Sequence, residues 1–250
     1  MTYLEDYLRP GRRVVLLFSG GLDSSLLLAA GARSLGSDLT ALTFTGPHTT
    51  PGELAAAWKL ARKLKVRHLI RGFDPLALAE FRENSPRRCY ACKKAMLTEA
   101  WEIARAQGAA ALWDGANLDD LEDFRPGMEA ARELGVNSPL LTAGLGKTAI
   151  RRLSRTYGLN AQKAPQSCLA TRFPFYTPLN REELARVGRV EAWLRRRGFT
   201  RVRLRIREGQ ARLELPAQEW AQFLNPAVRR PFMALVNCMG WEWDGFGGGG

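Results

Sequence analysis

The stretch RRVVLLFSGGLDSSLLLAA, residues 12–30, decides the fold. Its first part, residues 12–18, is an apolar run long enough for a buried strand, and its last part has a helical pattern. Between them, Ser19, Gly20 and Gly21 let the backbone turn tightly and approach a ligand without a side chain in the way. The N–H groups of this turn and of the helix start form a cradle for an anion. The stretch therefore predicts a strand, a phosphate-binding turn and a helix.

The first two-thirds of the chain repeats this alternation of apolar runs and helical patterns. Strands are predicted at 12–18, 39–44, 66–71, 109–113 and 138–141. Helices are predicted at 23–34, 52–64, 93–107, 126–134 and 147–157. Continuous apolar strands that alternate with helices are typical of an α/β fold with a parallel sheet covered on both faces. We expect a Rossmann-like domain whose ligand lies at the carboxyl ends of the strands.

The pattern changes in the last third of the chain. A helix is predicted over 181–197, and residues 201–215 then alternate strictly between apolar and charged side chains, which predicts a β-hairpin with one buried face. We therefore expect a first domain over 1–175 and a small α/β domain for substrate binding or oligomerisation over 176–240. The glycine-rich segment 241–250 is predicted to be a disordered tail.

Composition sets broad limits on function. The 250 residues are 46% hydrophobic, and 37 Lys and Arg against 25 Asp and Glu give a net charge of +12. This surplus attracts anions such as nucleotides or nucleic acid, although an arginine-rich proteome would produce the same surplus. No apolar run approaches the length of a membrane span, and the amino-terminal sequence lacks the apolar core of a signal peptide, which predicts a cytoplasmic protein.

The turn at residues 19–24 reads SGGLDS. Asp23 lies at the helix start, where a carboxylate is stabilised and can also reach a metal ion bound to phosphate. The Walker pattern is excluded because its lysine is absent. An ordinary Gly-Gly turn with Ser and Asp caps is the simpler alternative, but six matching positions between a strand and a helix resemble the PP-loop ATP pyrophosphatases. That resemblance implies cleavage of ATP between its α and β phosphates, adenylation of a carbonyl or carboxyl oxygen, and Mg²⁺.

The resemblance also implies which residues hold the nucleotide. LTFTGP (42–47) ends the second strand, where adenine could meet backbone groups, and WDGANLDD (113–120) ends the fourth; an ordinary Asp/Asn/Gly turn is the alternative for the latter. The predicted ATP-binding residues are Ser19, Gly20, Gly21, Asp23, Ser24, Thr43 and Gly115. Asp23 is also the predicted Mg²⁺ ligand.

The chain has four cysteines, and Cys89 and Cys92 form a CxxC pair. In a reducing compartment such a pair indicates half of a zinc site, a redox pair or part of an iron–sulfur site. The flanking positive charges would favour thiolates; they are Arg87, Arg88, Lys93 and Lys94. Cys168 is a further candidate ligand, whereas Cys238 lies in an apolar stretch and is predicted to be core. Three thiolates and one open position suit a [4Fe–4S] cluster.

Four segments together resemble the LarE family of ATP-dependent sulfur transferases, over about residues 10 to 215. They are FSGGLDSS, RCYACKKAM, DGANLDDLEDFRPGMEAARELGVNSPLL and KAPQSCLATRFPF. The DFRPG segment (123–127) and the SCLATRFP segment (167–174) are the most specific. The family adenylates carboxylates of pyridinium-3,5-biscarboxylic acid mononucleotide and converts them to thiocarboxylates, on the route to the nickel-pincer nucleotide of lactate racemase.

The resemblance implies two possible sources of sulfur. Some members have only the cysteine that matches Cys168 and sacrifice its sulfur, which leaves dehydroalanine. Others also keep a CxxC pair and bind a [4Fe–4S] cluster that delivers sulfide. With Cys89, Cys92 and Cys168, this sequence resembles the cluster-bearing type.

The family pattern also implies roles for charged residues. Arg172, four residues after Cys168, would stabilise phosphate or acyl charge, and Glu191, Arg203 and Arg205 would line the pocket for the substrate's phosphate. The alternatives are a surface arginine at 172 and an ordinary charged strand face at 203 and 205. The family also suggests a homo-oligomer.

Three other functions remain open. A tRNA-thiolating PP-loop enzyme would suit the three cysteines and the net charge, but the sequence has no recognisable RNA-binding module. An amide-forming ligase of the same superfamily, or a non-enzymatic nucleotide-binding module, would not need the cysteines. The DFRPG and SCLATRFP segments favour the LarE reading, with a nucleotide-like small molecule as the partner and no membrane or nucleic acid.

Overall fold

The computed structural model describes residues 4–5, 8, 12–122 and 126–248. Contacts within the chain divide it into two compact units. The first unit comprises residues 1–46, 52–81 and 87–163, and the second comprises 47–51, 82–86 and 164–250. The division thus falls earlier than the boundary that the sequence indicated after residue 175, and the segment that carries Cys168 belongs to the second unit.

The first unit is built on a parallel sheet. Its strands are β1 (Val14–Leu17), β2 (Leu39–Thr45), β3 (Arg67–Gly72) and β4 (Ala111–Trp113), in the order β3-β2-β1-β4. All three pairings are parallel, and Val14 of β1 lies opposite Leu39 on one side and Ala111 on the other. The prediction of an α/β fold with a parallel sheet is confirmed.

Helices follow or connect these strands. They are α1 (Leu22–Leu35), α2 (Glu53–Lys63), α3 (Ala79–Arg82), α4 (Arg88–Ala106), α5 (Pro126–Glu133), α6 (Pro139–Thr142) and α7 (Lys147–Thr156). Shorter 3₁₀ turns lie at Gly36–Asp38, Pro75–Ala77 and Leu118–Leu121. Of the DFRPG segment, residues 123–125 lie outside the described residues, and the segment's last two residues begin α5.

The core of the first unit lies on both faces of the sheet, because successive side chains of a strand point to opposite faces. Val14 and Leu16 of β1 pack in one apolar cluster with α1, almost every apolar side chain of which is buried. Val15, between them, packs in a second cluster with Leu97 and Ala100 of α4. Burial on both faces explains why the strands read as continuous apolar runs.

The fifth strand predicted at 138–141 is wrong. Asn137 forms an isolated parallel bridge to Trp113, and the chain then enters the short helix α6. Pro139 occupies its first position, where a missing N–H costs nothing and the fixed φ suits a helix. The Ser138 hydroxyl donates to the Asp114 carboxylate at 2.7 Å, which ties this turn to the end of β4 instead of extending the sheet.

The strand order places two loops beside each other. From β1 the chain continues to β2 and β3 on one side of the sheet, and β4 lies on the other side of β1. The loops that follow β1 and β4 therefore leave the carboxyl edge at a topological switch point, where ligands bind in open α/β sheets. The SGGLDS turn is the loop after β1.

The second unit contains a small mixed sheet. Its helices are α8 (Arg181–Arg195), α9 (Trp220–Leu224) and α10 (Pro226–Cys238), and its strands are β5 (Arg203–Arg207), β6 (Gln210–Leu215) and β7 (Glu242–Gly248). Two 3₁₀ turns lie at Leu169–Arg172 and Ala217–Glu219. Strands β5 and β6 form the antiparallel hairpin that the alternation predicted, with Ile206 opposite Ala211.

The tail differs from the disordered segment that the sequence indicated. Residues Glu242–Gly248 form β7, which pairs in parallel with β6. Trp243 and Phe246 explain the difference, since both rings pack against Phe223, with centroids 6.3 and 6.1 Å away. Contacts between aromatic rings stabilise an ordered segment, and here they offset the conformational entropy that the neighbouring glycines lose on folding. Residues 249–250 lie outside the described residues.

Two further observations concern exposure. Cys238, the last residue of α10, is exposed, so the prediction that it belongs to the core is wrong. Among the described residues, no helix combines the length and the apolar character needed to cross a bilayer.

Candidate active site

The SGGLDS turn is held by its own hydroxyl groups. Gly20 has φ +74°, a left-handed conformation, and a Cβ on it would lie 3.1 Å from the Cβ of Ala57, so glycine is required there. The Gly21 N–H donates to the Ser19 hydroxyl at 3.3 Å, and the Ser24 hydroxyl donates to the Gly21 carbonyl at 3.2 Å. The two hydroxyls lie 3.1 Å apart. The turn is therefore shaped in advance, and its helix start is a site for an anion.

The loop after β4 closes against this turn. Asn117 is fully buried, and its side-chain amide donates to the Asp23 carboxylate at 3.1 Å. A Cβ on Gly115 would lie 3.1 Å from the backbone nitrogen of Ser24, so the close approach needs glycine. The structure thus brings together the predicted ATP-binding residues of the two loops. Asp119 has another task, because its carboxylate accepts from the backbone N–H of Lys147 at the start of α7.

Thr43, a predicted ATP-binding residue, uses its side chain for contacts within the protein. Its side chain is buried, and its hydroxyl donates to the Phe18 carbonyl at 2.5 Å. The same oxygen lies 2.7 Å from Nε2 of His68, which must be the donor because the hydroxyl proton is already engaged. Burial lowers the pKa of His68, so the neutral imidazole is favoured. Thr43 therefore fastens β2 and β3 to the end of β1 through its side chain.

The CxxC pair lies in the first turn of α4. Cys89 is exposed and Cys92 is buried, and their i, i+3 spacing places both on one side of the helix. Lys93, the next residue, lies 3.4 Å from the Asp114 carboxylate at the end of β4. The cysteine-bearing turn is therefore attached to the loop that also contacts Asp23, within the same unit.

The positive charges beside the pair are engaged with carboxylates. Arg87 forms a bidentate contact with Glu129 at 2.9 and 3.2 Å. Lys94 donates to Glu133 at 2.9 Å and to the Tyr90 hydroxyl at 2.7 Å, and these two bonds raise the pKa of Lys94 to about 12. Lys93 is also paired, with Asp114. Three of the four flanking cations therefore already have a carboxylate partner, which weakens the argument from the sequence that they favour thiolates at Cys89 and Cys92.

The iron–sulfur cluster stays a prediction. Two thiols one helical turn apart suit two ligands of a cluster, since such clusters are held by cysteine thiolates. Within the part of the chain that the structure describes, no three His, Cys, Asp or Glu side chains are grouped to hold a metal ion. The CxxC pair therefore offers two thiols of a suitable type and spacing, and whether they hold a cluster is a matter for experiment.

Cys168 begins the 3₁₀ turn Leu169–Arg172 in the second unit and is half-buried. Its carbonyl accepts from the Thr171 N–H at 3.0 Å and from the Thr171 hydroxyl at 2.7 Å. The next residue, Leu169, donates its N–H to the His48 carbonyl at 2.9 Å. These bonds fix the backbone that carries the thiol.

Arg172 is fully buried, so the reading of a surface arginine is wrong. Its Nε and Nη2 donate to the two oxygens of Glu191 at 2.6 and 3.2 Å, and its Nη1 donates to the hydroxyls of Ser167 and Thr171, both at 2.7 Å. These two residues flank Cys168 in the sequence. Through these hydrogen bonds, Arg172 holds the turn that carries Cys168 in place.

Glu191 is likewise buried beneath the surface. Besides Arg172, its carboxylate accepts from Arg195 at 2.6 Å and from the Leu204 N–H at 2.9 Å. The family pattern implied that it lines a phosphate pocket; the structure shows a fully enclosed side chain whose contacts are with protein groups. Its effect on a ligand would pass through the arginines that it holds.

Arg203 and Arg205 project from β5 near this pair. Arg205 donates to Glu214 at 3.0 Å and to the Thr171 carbonyl at 2.6 Å. Burial, followed by the like charges of Arg172 and Arg205, lowers the pKa of Arg203, while the charges of Glu214 and Glu191 act in the opposite direction. Among the described residues, Arg203 forms no hydrogen bond or ion pair. A half-buried guanidinium repelled by its neighbours is a ready partner for an anion.

Comparisons with known proteins identify the family of the chain. The asparagine synthase family matches residues 5–104. A pyridinium-3,5-bisthiocarboxylic acid mononucleotide synthase from Lactiplantibacillus plantarum is 35% identical over 228 residues, covering 90% of this chain and 83% of the relative. The chain belongs to the LarE family. The prediction of the family from four sequence segments is confirmed, and with it the class of ATP-dependent, sulfur-transferring PP-loop enzymes.

Two other relatives show how far the similarity to sulfur-transferring proteins extends along the chain. An uncharacterised protein from Synechocystis is 37% identical over 213 residues, covering 85% of this chain and 80% of that protein. A probable tRNA sulfurtransferase from Methanothermobacter thermautotrophicus is 30% identical over 156 residues, which cover 58% of this chain but 40% of the relative. The similarity to the LarE synthase therefore extends over much more of both chains than the similarity to the tRNA enzyme.

Proposed function

We propose that the protein adenylates carboxylates of pyridinium-3,5-biscarboxylic acid mononucleotide with ATP and converts them to thiocarboxylates. The observation that carries the proposal is the preformed SGGLDS turn in a chain that aligns with a synthase of that bisthiocarboxylic product over nearly its whole length. The three cysteines supply sulfur chemistry that an amide-forming ligase or a binding module would not need.

In the first step, the backbone N–H groups of the turn bind the phosphates of ATP. A substrate carboxylate attacks the α phosphorus, and pyrophosphate leaves. Asp23 is oriented by Asn117 and offers the oxygen ligand that Mg²⁺ prefers, so it would hold the ion. When bound, Mg²⁺ would neutralise charge on the phosphates. The protein's own contribution is to position the reactants and to stabilise charge.

In the second step, a sulfur nucleophile attacks the acyl carbon of the adenylate, and AMP leaves. The Cys168 thiolate can act directly and form a thioester. Elimination, in which a base takes the Cα proton of residue 168 and the Cβ–Sγ bond breaks, would then release the thiocarboxylate with its sulfur and leave dehydroalanine at position 168. Alternatively, Cys89, Cys92 and Cys168 would hold a [4Fe–4S] cluster, which supplies sulfide when bound. In both cases Arg172 and Thr171 fix the turn that carries Cys168.

The phosphate of the substrate would bind at Arg203. This guanidinium is half-buried and forms no hydrogen bond or ion pair among the described residues, and burial and the charges of Arg172 and Arg205 together outweigh the attraction of Glu214 and Glu191, so an anion would stabilise it. Arg205 would contribute charge while it remains bonded to Glu214. Glu191 keeps the neighbouring arginines in place.

The decisive experiment is an anaerobic reaction of the purified protein with Mg²⁺, ATP and the biscarboxylic mononucleotide. We expect AMP, pyrophosphate and a product whose mass shows replacement of oxygen by sulfur. Cys168→Ala should abolish thiocarboxylate formation while pyrophosphate is still released. Thiocarboxylate formed by this variant at the wild-type yield would refute the role of Cys168.

The source of sulfur is tested separately. Iron and acid-labile sulfide in anaerobically purified protein, lost in Cys89→Ser and Cys92→Ser, would support the cluster. A colourless protein whose residue 168 becomes dehydroalanine after one turnover would support sacrifice of the cysteine. The expected homo-oligomer can be measured by light scattering on the same sample.

Thiolation of tRNA is the second candidate, because one relative is a probable tRNA sulfurtransferase and the chain carries a net charge of +12. It predicts that radiolabelled tRNA is retained by the protein on a filter at physiological salt and gains sulfur in the presence of ATP. Absence of both, with thiocarboxylate formed from the mononucleotide, would leave the first function.

A further inference from the structure

The phosphate turn lacks the lysine of a Walker motif, but the structure brings a lysine to it from far along the chain. The Nζ of Lys163 donates to the Gly20 carbonyl, across 143 residues of sequence. Both residues belong to the first unit. Sequence spacing gives no sign of this contact, although Lys163 opens the KAPQSCLATRFPF segment, because that segment is irregular and lies far from the turn in the sequence.

The contact controls the orientation of one peptide group. In a trans peptide the carbonyl and the N–H point in opposite directions, so a bond that holds the Gly20 carbonyl also sets the direction of the Gly21 N–H. The Ser25 hydroxyl donates to the same carbonyl at 3.4 Å, as a second and longer bond. Gly20, at φ +74°, has no side chain to restrain this peptide otherwise. Lys163 is therefore the charged anchor of the turn.

The ammonium group of Lys163 is partly removed from water, which disfavours its charged form. Lys163 is half-buried, and burial lowers its pKa, while the nearby charge of Glu53 acts in the opposite direction. Its side chain lines a cavity of about 190 Å³ behind the turn, together with Gly20, Ala56 and Lys63. A partly desolvated cation beside a turn of N–H groups raises the local positive potential, which favours a bound polyphosphate.

We propose that Lys163 is a positioning residue of the phosphate turn. It holds the Gly20–Gly21 peptide, whose N–H donates to the Ser19 hydroxyl, in the orientation that gives the turn its shape. It also adds positive charge beside the turn, so that the triphosphate of ATP binds. The role rests on the proposed function, because it assumes that this turn binds ATP. It concerns a residue outside the SGGLDS motif and acts without requiring contact between the lysine and the nucleotide.

The test is equilibrium binding of Mg²⁺ with α,β-methylene-ATP, which cannot be cleaved between its α and β phosphates, and of adenosine, which has no phosphate. We expect Lys163→Met to weaken α,β-methylene-ATP binding by roughly tenfold to a hundredfold, the range for loss of a charged hydrogen bond. The dissociation constant for adenosine should change by less than about twofold. Lys163→Arg should restore most of the affinity, because it keeps a charged donor.

The matched control is Lys63→Met. Lys63 is an exposed lysine that lines the same cavity, so its removal takes one charge from the region and leaves the Gly20 carbonyl bonded to Lys163. We expect little change in the binding of either ligand. Thermal unfolding of each variant shows whether the first unit remains folded.

Each other outcome contradicts a different statement. Equal affinity of wild type and Lys163→Met for α,β-methylene-ATP would overturn the role of Lys163 and leave the proposed function intact. Parallel loss of adenosine and α,β-methylene-ATP, or equal weakening by Lys63→Met, would show a general structural or long-range effect and also overturn it. A wild-type protein that binds no α,β-methylene-ATP would overturn the proposed function itself.

Discussion

The phosphate turn of the first unit (SGGLDS, 19–24) and the arginine cluster of the second unit (Arg172, Arg195, Arg203 and Arg205) both contain groups that suit anions. They are built in different ways. The turn uses backbone N–H groups, small hydroxyls and glycines within six consecutive residues. The cluster uses the fully buried pair Arg172 and Glu191, supported by the Arg195 side chain of α8 and the backbone N–H of Leu204 in β5. The first arrangement is local in the sequence, and the second exists only after folding.

This difference has an energetic consequence. A turn made of backbone groups can lose a ligand without leaving a charge buried, since its N–H groups can be hydrated. A buried guanidinium that loses its carboxylate has no such substitute, because desolvation makes an unpaired charge costly. Substitutions in the buried Arg172–Glu191 pair should therefore lower the free energy of unfolding, whereas substitutions in the turn should mainly weaken ligand binding.

The largest effect is expected for Glu191→Ala. It leaves Arg172 buried without its bidentate partner, so we expect the free energy of unfolding to fall by about 3–5 kcal/mol. Chemical denaturation measures this. Glu214→Ala, which removes the partly exposed partner of Arg205, is the control and should cost less than about 1 kcal/mol. Equal losses in the two variants would show that burial of the pair does not set its importance.

The next effect concerns binding alone. Arg203→Gln removes a guanidinium whose burial and like-charged neighbours outweigh the attraction of Glu214 and Glu191, so stability should change little. The KM for the phosphorylated substrate should increase roughly tenfold or more. Arg207→Gln, on the same strand but exposed beside Glu208, is the matched control and should leave KM unchanged. An unchanged KM in Arg203→Gln would remove this residue from the substrate site.

A smaller effect on stability is expected for Gly20→Ala. The left-handed φ costs an alanine about 1–2 kcal/mol, and the added Cβ would also press on Ala57. Gly36→Ala is the control, because Gly36 has φ +55° with nothing within 4 Å of the added carbon. Both variants should lose stability in urea denaturation, but nucleotide binding should fall only in Gly20→Ala. Normal nucleotide binding by Gly20→Ala would show that the turn tolerates movement.

The smallest effect is a pH dependence through His68. Its pKa is lowered in the folded protein, so below the ordinary value of 6.5 the unfolded chain binds the proton more readily, and the free energy of unfolding falls as the pH drops. Denaturation at about pH 7.5 and about pH 5.5 should show a smaller difference for His68→Gln than for wild type. An identical difference would mean that other groups carry the pH dependence.

The first site could be predicted from the sequence because its information is local. SGGLDS lies between a strand and a helix, and each residue type has a reason at its own position. The alternation of apolar runs likewise predicted the parallel sheet. The segment 138–141 misled because an apolar tetrapeptide suits a strand or a helix, and the choice depends on Pro139 and on the bond from Ser138 to Asp114.

The second site could be predicted only in part. The motif located Cys168 and Arg172, but nothing near Arg172 indicates that its partner is Glu191, nineteen positions later on α8. The contact of Lys163 with Gly20 was missed for the same reason: the segment KAPQSCLATRFPF begins with this lysine, but nothing in the sequence shows that it meets a turn 143 residues earlier. The folded β7 was missed because glycine content outweighed two aromatic residues in the sequence interpretation.

The exposed thiol of Cys238 affects how the chain is handled in the laboratory. A solvent-accessible cysteine at a helix end is open to oxidation and to alkylating reagents, and Cys89 is accessible as well. A reagent that counts reactive sulfhydryls would therefore report both together. Labelling studies aimed at Cys89 should start from a Cys238→Ser background, and reductant should be present during storage to prevent cross-linking between molecules.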